Sequence, residues 1–260
     1  MTTPGGASLL DQDEPEPVVA FNSGGSSPFL ILGDHAGNAI PRRLGGLSLS
    51  REDRERHIAW DIGVKSLGEL LATTLNASFL HQHYSRLVID CNRDPASAEA
   101  IPEISDGSPI PGNASLTEEA RTERIAAIHD PYHKRITAEL DKRTHSNRPT
   151  ILVALHSFTP IMAQIERPWH VGVLYSDGNT RFATALLERL LTEPDIIVGD
   201  NEPYQMDDTD HTIPRHAFAN SLPYVELEIR QDLIAETAGQ HVWNARLSAA
   251  LETVRFCFSL

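Results

Sequence analysis

The chain has 260 residues, 40% of them hydrophobic, which suffices for one large α/β domain or two small ones. Its formal charge of −14 argues against nonspecific binding to nucleic acid or to an anionic membrane, although a local basic pocket for a small anion stays open. No apolar run approaches the roughly 18–20 residues of a membrane span, and the N-terminus lacks the basic-then-apolar pattern of a signal peptide. The two cysteines, Cys91 and Cys257, make no CxxC pair. That speaks against a disulfide scaffold or a thiolate zinc site and fits a reducing cytoplasm.

Residues 1–20, rich in Gly, Pro and acid, read as a mobile tail, which leaves 21–260 as a single domain. "FLILGDH" reads as a buried strand ending at His35, followed by a small-residue turn. "SREDRERHIAW" is helical in character with Ser50 as its cap. In "DIGVKSLGELLATTL" Val64, Leu67, Leu70, Leu71 and Leu75 keep helical spacing, and Asp61 could cap the start. "SRLVIDCNRD" reads as a short strand entering a polar loop, and "IPEISDGSPIPGNAS" as a long loop near a site. A capping-box pattern, Ser115 with Glu118, opens a helix that Pro131 should kink or break. "TILVALHSF", "HVGVLYSD", "DIIVGD" and "LPYVELEIRQDL" are further strands. The helix "RFATALLERLL" separates the middle two, and "VWNARLSAALETVRF" closes the chain. Strands alternating with helices imply a mixed, mainly parallel sheet covered on both faces.

Active sites in such folds lie at the carboxyl ends of strands. His35 and His156 each end a strand, as do Asp90, Asn92, Arg93 and Asp177. A catalytic zinc takes three protein ligands and leaves one position open. His35 and His156 would supply two. Asp61 is the leading third candidate, with its role as a helix cap equally open, and Asn38 follows as the weaker donor. In "YVELEIRQD" the apolar Val225, Leu227 and Ile229 alternate with Glu226, Glu228 and Arg230. This is either a solvated edge strand or a charged row lining a site, where a glutamate could act as general base. Arg93, with Asn92 as an added donor, suits a clamp on a substrate carboxylate, or else pairs with Asp90 or Asp94. His216 is a candidate substrate contact or simply a loop histidine.

"GDHAGNAIP", "HIAWDIGV", "SRLVIDCNR", "ALHSF", "RPWHVGVLYSD" and "LPYVELEIRQDLI" resemble, in order, the motifs of the N-formylglutamate amidohydrolases. The resemblance runs from about Phe29 to the final helix. It implies the three-layer fold shared with zinc carboxypeptidases and aspartoacylase-like deacylases, one zinc per chain, and a small anionic N-acyl amino acid as substrate. N-formyl-L-glutamate giving formate and L-glutamate, a step of amino-acid catabolism, is the family's named reaction. Motif by motif, the resemblance implies Glu228 as base, Asn92 and Arg93 as carboxylate clamp, and His35 and His156 as zinc ligands. The carboxypeptidase HxxE reads here as His35-Ala36-Gly37-Asn38, a departure that turns attention to Asp61 as the carboxylate ligand. A carboxypeptidase-type peptidase, or a non-catalytic anion- or metal-binding protein of the same fold, are the competing readings. Oligomeric state is not legible.

Overall fold

The computed structural model describes residues 8–258. In chain order the strands are β1 (Val18–Phe21), β2 (Phe29–Gly33), β3 (Ser78–Gln82), β4 (Ile104–Ser105), β5 (Ser108–Pro109), β6 (Ile151–Phe158), β7 (Ile161–Met162), β8 (Ile165–Glu166), β9 (Val171–Leu174), β10 (Val198–Asp200) and β11 (Tyr224–Arg230). The α-helices are α1 (Arg51–Glu55), α2 (Val64–Thr74), α3 (Glu118–Arg124), α4 (Asp130–His145), α5 (Arg181–Leu191), α6 (Thr212–His216) and α7 (Thr237–Cys257).

Seven strands form one sheet in the order β1-β3-β2-β6-β11-β9-β10. β3, β2, β6 and β11 run parallel, β9 and β10 run parallel to each other, and antiparallel pairings join β1 to β3 and β11 to β9. Alternation sends Phe29, Ile31, Val153, Leu155, Val225 and Leu227 to one face, where α2, α5 and α7 cover them. Leu30, Leu32, Leu152 and Ala154 face the other layer, built from α4, α6 and irregular chain. The expected mixed, mainly parallel sheet between helical layers is therefore present. β11 is central and buried, not a solvated edge. No helix among the described residues is long and apolar enough to cross a membrane.

Several local expectations are corrected. Of the presumed mobile tail, residues 1–7 lie outside the described residues. Residues 8–20 pack onto the body: Leu9 is buried, β1 joins the sheet, and Arg42 pairs with Asp11 and Asp13. The acidic run has a cationic partner 30 residues downstream, which local composition does not reveal.

The strand precedes the stretch expected to form it. β3 ends at Gln82, and residues 85–93 are irregular. Leu87, Val88 and Ile89 are nonetheless buried, so their backbone groups need partners. Asn113 Nδ2 donates to the Leu87 carbonyl at 2.9 Å, and Arg124 Nη1 donates to that of Val88 at 2.9 Å. The Asp90 N–H donates to the Ala100 carbonyl at 2.7 Å. Long-range groups thus replace a sheet ladder.

Helix α3 begins later than the Ser115–Glu118 pattern implied. Thr117 is the cap, its hydroxyl accepting from the Ala120 N–H at 3.3 Å, while Ser115 adopts φ 54°. Pro131 neither breaks nor ends the helix, because a π-turn over Ile125–His129 joins α3 to α4 just before it. Asp61 does not cap α2. That place falls to Gly63 at φ 87°, where a Cβ would lie 2.3 Å from the Ile234 carbonyl oxygen.

Arg124 is 1% exposed, and its guanidinium also bonds Asn113 Oδ1 and the Gly112 carbonyl. Replacing Arg124 with Leu leaves these buried acceptors unsatisfied and should lower unfolding free energy by about 2–4 kcal/mol. Urea titration at constant m-value checks this, and a shift below ~0.5 kcal/mol would sink the assignment of Arg124 as anchor of residues 85–93.

Candidate active site

Four segments converge at the carboxyl ends of the parallel strands. The chain leaves β2 through Asp34 and His35, then turns tightly at Gly37, where a Cβ would lie 2.1 Å from the His83 carbonyl oxygen. The loop before α2 brings Asp61, whose N–H donates to the His35 carbonyl at 2.9 Å. β6 supplies His156, and β11 supplies Glu228, its direct register partner on the same face of the sheet. Residues 85–93 add Arg86, Asp90, Asn92 and Arg93.

His35, Asp61 and His156 are all buried and offer ligand atoms within 4.8 Å of one another. Asp61 Oδ2 lies 3.0 Å from His156 Nδ1 and 3.5 Å from His35 Nδ1. Each imidazole has a second carboxylate at its far nitrogen: His35 Nε2 is 2.7 Å from Asp90 Oδ1, and His156 Nε2 is 3.5 Å from Asp34 Oδ2. Arg86 in turn holds Asp90 Oδ2 at 2.6 Å and approaches Asp61 Oδ1 at 3.6 Å. Carboxylates behind ligating histidines are the usual outer shell of a metal site, since they orient the ring and raise its basicity.

Three buried aspartates surround two imidazoles and one guanidinium, and the charges shift accordingly. Burial alone would raise the aspartates. The neighbouring His156 instead brings Asp34 down to about 2, His35 and His156 hold Asp61 far below its ordinary value, and Arg86 with His35 does the same for Asp90. Burial and Arg86 oppose protonation of His35, yet Asp90 and Asp61 prevail and raise it. His156 is likewise raised against burial, by Asp34 and Asp61. His35 Nδ1 and both Asp34 oxygens are buried without hydrogen-bond partners. A divalent cation at this point would meet three donors and offset the excess of carboxylate. The residues fit a zinc ion.

Beside this cluster opens a cavity of about 500 Å³, lined in part by Arg86, Arg93, Glu226, Glu228 and Tyr204. Burial raises both Glu226 and Glu228 to about 8. Arg93 reaches the cavity wall, with Nη1 3.2 Å from the Thr209 carbonyl and 3.5 Å from Asp210 Oδ1. Asn92 also lines it, but its amide is committed: Nδ2 donates to Asp210 at 3.1 Å, and Oδ1 accepts from the N–H groups of His211 and Thr212.

The structure therefore brings together His35, Asp61, His156, Glu228 and Arg93. Asn38 turns away and donates to the Arg54 carbonyl at 2.7 Å. His216 is placed elsewhere than expected. It is buried behind the cavity wall, with Nε2 2.9 Å from His133 Nδ1, and does not line the cavity. Asp177 also stays outside the lining. Arg86 was not anticipated from the sequence. Its only signal was the four-residue spacing to Asp90, which mimics a helical ion pair in a stretch that is not helical.

A mainly parallel sheet carrying a carboxylate–histidine cluster, a buried glutamate and an arginine in one cavity has the equipment of a hydrolase. Comparison with known proteins agrees. Residues 27–235 match the N-formylglutamate amidohydrolase family, which acts on linear amide C–N bonds, and the chain belongs to that family. The crystal structure of gene product Atu2144 from Agrobacterium tumefaciens is 32% identical, with a TM-score of 0.93 over 97% of this chain and 100% of that one. N-formylglutamate amidohydrolase from Ralstonia eutropha JMP134 has the same fold at 20% identity and TM-score 0.63, over 93% and 98% of the two chains. No curated protein matches the chain.

The raised Glu228 predicts a pH-dependent effect of its removal. A folded-state value near 8, against an ordinary 4.5, means the fold keeps a proton that the unfolded chain releases. Glu228 therefore weighs increasingly against folding from about pH 4.5 to 8. In metal-free protein the melting temperature of Glu228→Gln relative to wild type should rise between pH 5 and pH 8. A constant or falling difference in thermal unfolding with a chelator present would contradict it.

Proposed function

We propose that the protein is a zinc-dependent amidohydrolase cleaving the amide of a small N-acyl amino acid. N-formyl-L-glutamate, giving formate and L-glutamate, is the first compound to assay because it names the family. The observation that carries this reading is the convergence of His35, Asp61 and His156 beside Glu228 in one cavity.

In this reading His35, Asp61 and His156 would hold the zinc; both histidines turn Nδ1 toward Asp61, with Asp90 bonded to His35 Nε2 and Asp34 3.5 Å from His156 Nε2. Bound zinc would polarise the amide carbonyl and lower the pKa of a water. Glu228, on the strand beside His156, in its ionised form takes the proton of the attacking water and returns it to the leaving nitrogen. A carbon–oxygen bond forms, the carbon–nitrogen bond breaks, and the products are a carboxylate and an amine. Arg86 supplies positive charge next to Asp61, where the carbonyl oxygen gains negative charge. Arg93 meets the substrate α-carboxylate, while Asn92 fixes the chain carrying Asp210 and Thr212 so that Arg93 stays aimed. The cysteine usage supports a cytoplasmic setting.

Protein purified without a histidine tag should carry about one zinc per chain by elemental analysis, lost in the His35→Ala/His156→Ala double variant. Glu228→Gln should keep its zinc and lose roughly 10²–10⁴-fold in kcat on N-acyl amino acids. Zinc in the double variant, or full activity in Glu228→Gln, would overturn the reading. Arg93→Ala should raise KM at least tenfold with a smaller change in kcat, as expected for a group that binds substrate and transition state alike. Steady-state kinetics over the same substrates decides it.

A further inference from the structure

One carboxyl group in the cavity has neither a part in the chemistry above nor a partner in the protein. Six acidic residues line the cavity, Asp61, Asp106, Asp207, Asp210, Glu226 and Glu228, against two guanidiniums, Arg86 and Arg93. Most of the six are accounted for. Asp61 faces the two histidines, and Asp106 pairs with Arg56 at 3.2 Å and His57 at 3.3 Å. Asp207 accepts from Thr209, Asp210 accepts from Asn92, and Glu228 is the base. Glu226, like Glu228, makes no hydrogen bond or ion pair among the described residues, but unlike Glu228 it has no role in the reaction. It is 3% exposed, and its Oε2 is buried without a partner.

An unpaired buried carboxyl group is costly, and a fold that keeps one aimed into an open cavity points to a ligand that completes it. Burial pushes Glu226 up to about 8, His156 opposes the rise, and Asp210, Glu228 and Asp34 reinforce it. The register gives Glu226 room. Its partners across the sheet are Ala154, a single methyl, on one side and Leu174 on the other. Two residues before Glu228 on the same face, it lies ~6.6 Å further down the strand, beyond the reacting amide. A second metal ion does not account for it, because no group of three metal-ligating side chains among the described residues includes Glu226.

We propose that Glu226, with Asp210 near it, is a specificity determinant that receives a positively charged group, so that the preferred substrate is an N-acyl amino acid with a basic side chain. This rests on the amidohydrolase reading of the same cavity. It differs in the side chain it selects, since a glutamate side chain would set a second carboxylate against Glu226 and Asp210. A lysine- or ornithine-type side chain extends past the scissile bond and ends in an ammonium suited to that floor, while the α-carboxylate remains with Arg93.

The test compares Nα-formyl-L-lysine with N-formyl-L-glutamate on the zinc-loaded enzyme, in wild type and Glu226→Gln. Wild type should favour the lysine compound at least tenfold in kcat/KM, and Glu226→Gln should move that ratio at least tenfold toward glutamate, chiefly through KM. Preference for the glutamate compound in wild type, or a ratio unmoved by the substitution, would overturn the proposal. Calorimetric titration of zinc-loaded Glu228→Gln with the product amino acids gives an independent readout. Tighter binding of L-lysine than of L-glutamate, lost in the Glu226→Gln/Glu228→Gln double variant, supports the proposal. Equal or reversed affinities, or no binding of either, refute it. Should no formylated amino acid be cleaved while L-lysine is still selectively bound, the amidohydrolase reading fails and the recognition role of Glu226 stands.

Discussion

The carboxylate of Asp61 joins everything else in the site. A single oxygen, Oδ2, faces both His35 and His156 and accepts the Ser157 N–H at 3.2 Å. The Asp61 N–H in turn reaches the His35 carbonyl, and the Ser157 hydroxyl donates to the Ile62 carbonyl at 3.0 Å. The loop before α2 is therefore stitched to the ends of both β2 and β6. Without Asp61 two imidazoles with centroids 4.9 Å apart would face each other across a gap, each backed by an aspartate but with no common partner. The same oxygen that orders the metal-free protein is the one a cation would claim.

This dependence explains which parts were legible. β2, β6, β11, α5 and α7 carry strong local patterns, buried apolar runs or helical spacing, and their position at the sheet centre or against it follows directly. Because active-site groups sit at the carboxyl ends of such strands, His35 and His156 could be picked from the strand pattern alone, whereas choosing Glu228 over Glu226 took the family resemblance. Asp61 was reachable by the chemistry of the donor set, since an amide at Asn38 is a poor substitute for a carboxylate. Residues 85–93 were not legible as irregular chain. Their apolar run has strand composition, and what keeps them out of the sheet is Arg124 and Asn113, which lie far away in sequence. The acidic stretch before β1 failed similarly, because its partner Arg42 is remote.

His216 illustrates a different limit. Read singly, it is a histidine before the strand that carries Glu226 and Glu228. In the fold it belongs with His129, His133 and His211 behind the cavity wall, and three of these, His129, His133 and His211, also offer ring nitrogens within 4.8 Å of one another. The geometry nevertheless separates this cluster from the one at Asp61. The Cys91 carbonyl, 2.9 Å from His133 Nε2, can only accept, so that nitrogen carries the proton. His133 Nδ1 then accepts from His216 Nε2, which leaves His133 no free lone pair. Arg215 adds a cation 3.1 Å from His211 Nε2. Burial takes His133 down to about 2 and His216 to about 4, so both rings are neutral.

Neutral rings suit a scaffold. His129 Nε2 lies 3.2 Å from the Arg93 carbonyl, one residue past the carbonyl of Asn92 that Arg93 Nη1 itself holds at 3.0 Å. His129 and His133 stand four residues apart, one turn along the helix, where the π-turn meets α4, so both face residues 91–93. A protonated ring there would add charge beside Arg215, which burial and that cation oppose more strongly than Asp130, 3.9 Å from His129 Nδ1, favours it. Two histidine clusters thus divide by their neighbours. Carboxylates at every turn make His35 and His156 basic, whereas carbonyls and guanidiniums make the second group an uncharged support for Arg93 at the cavity wall.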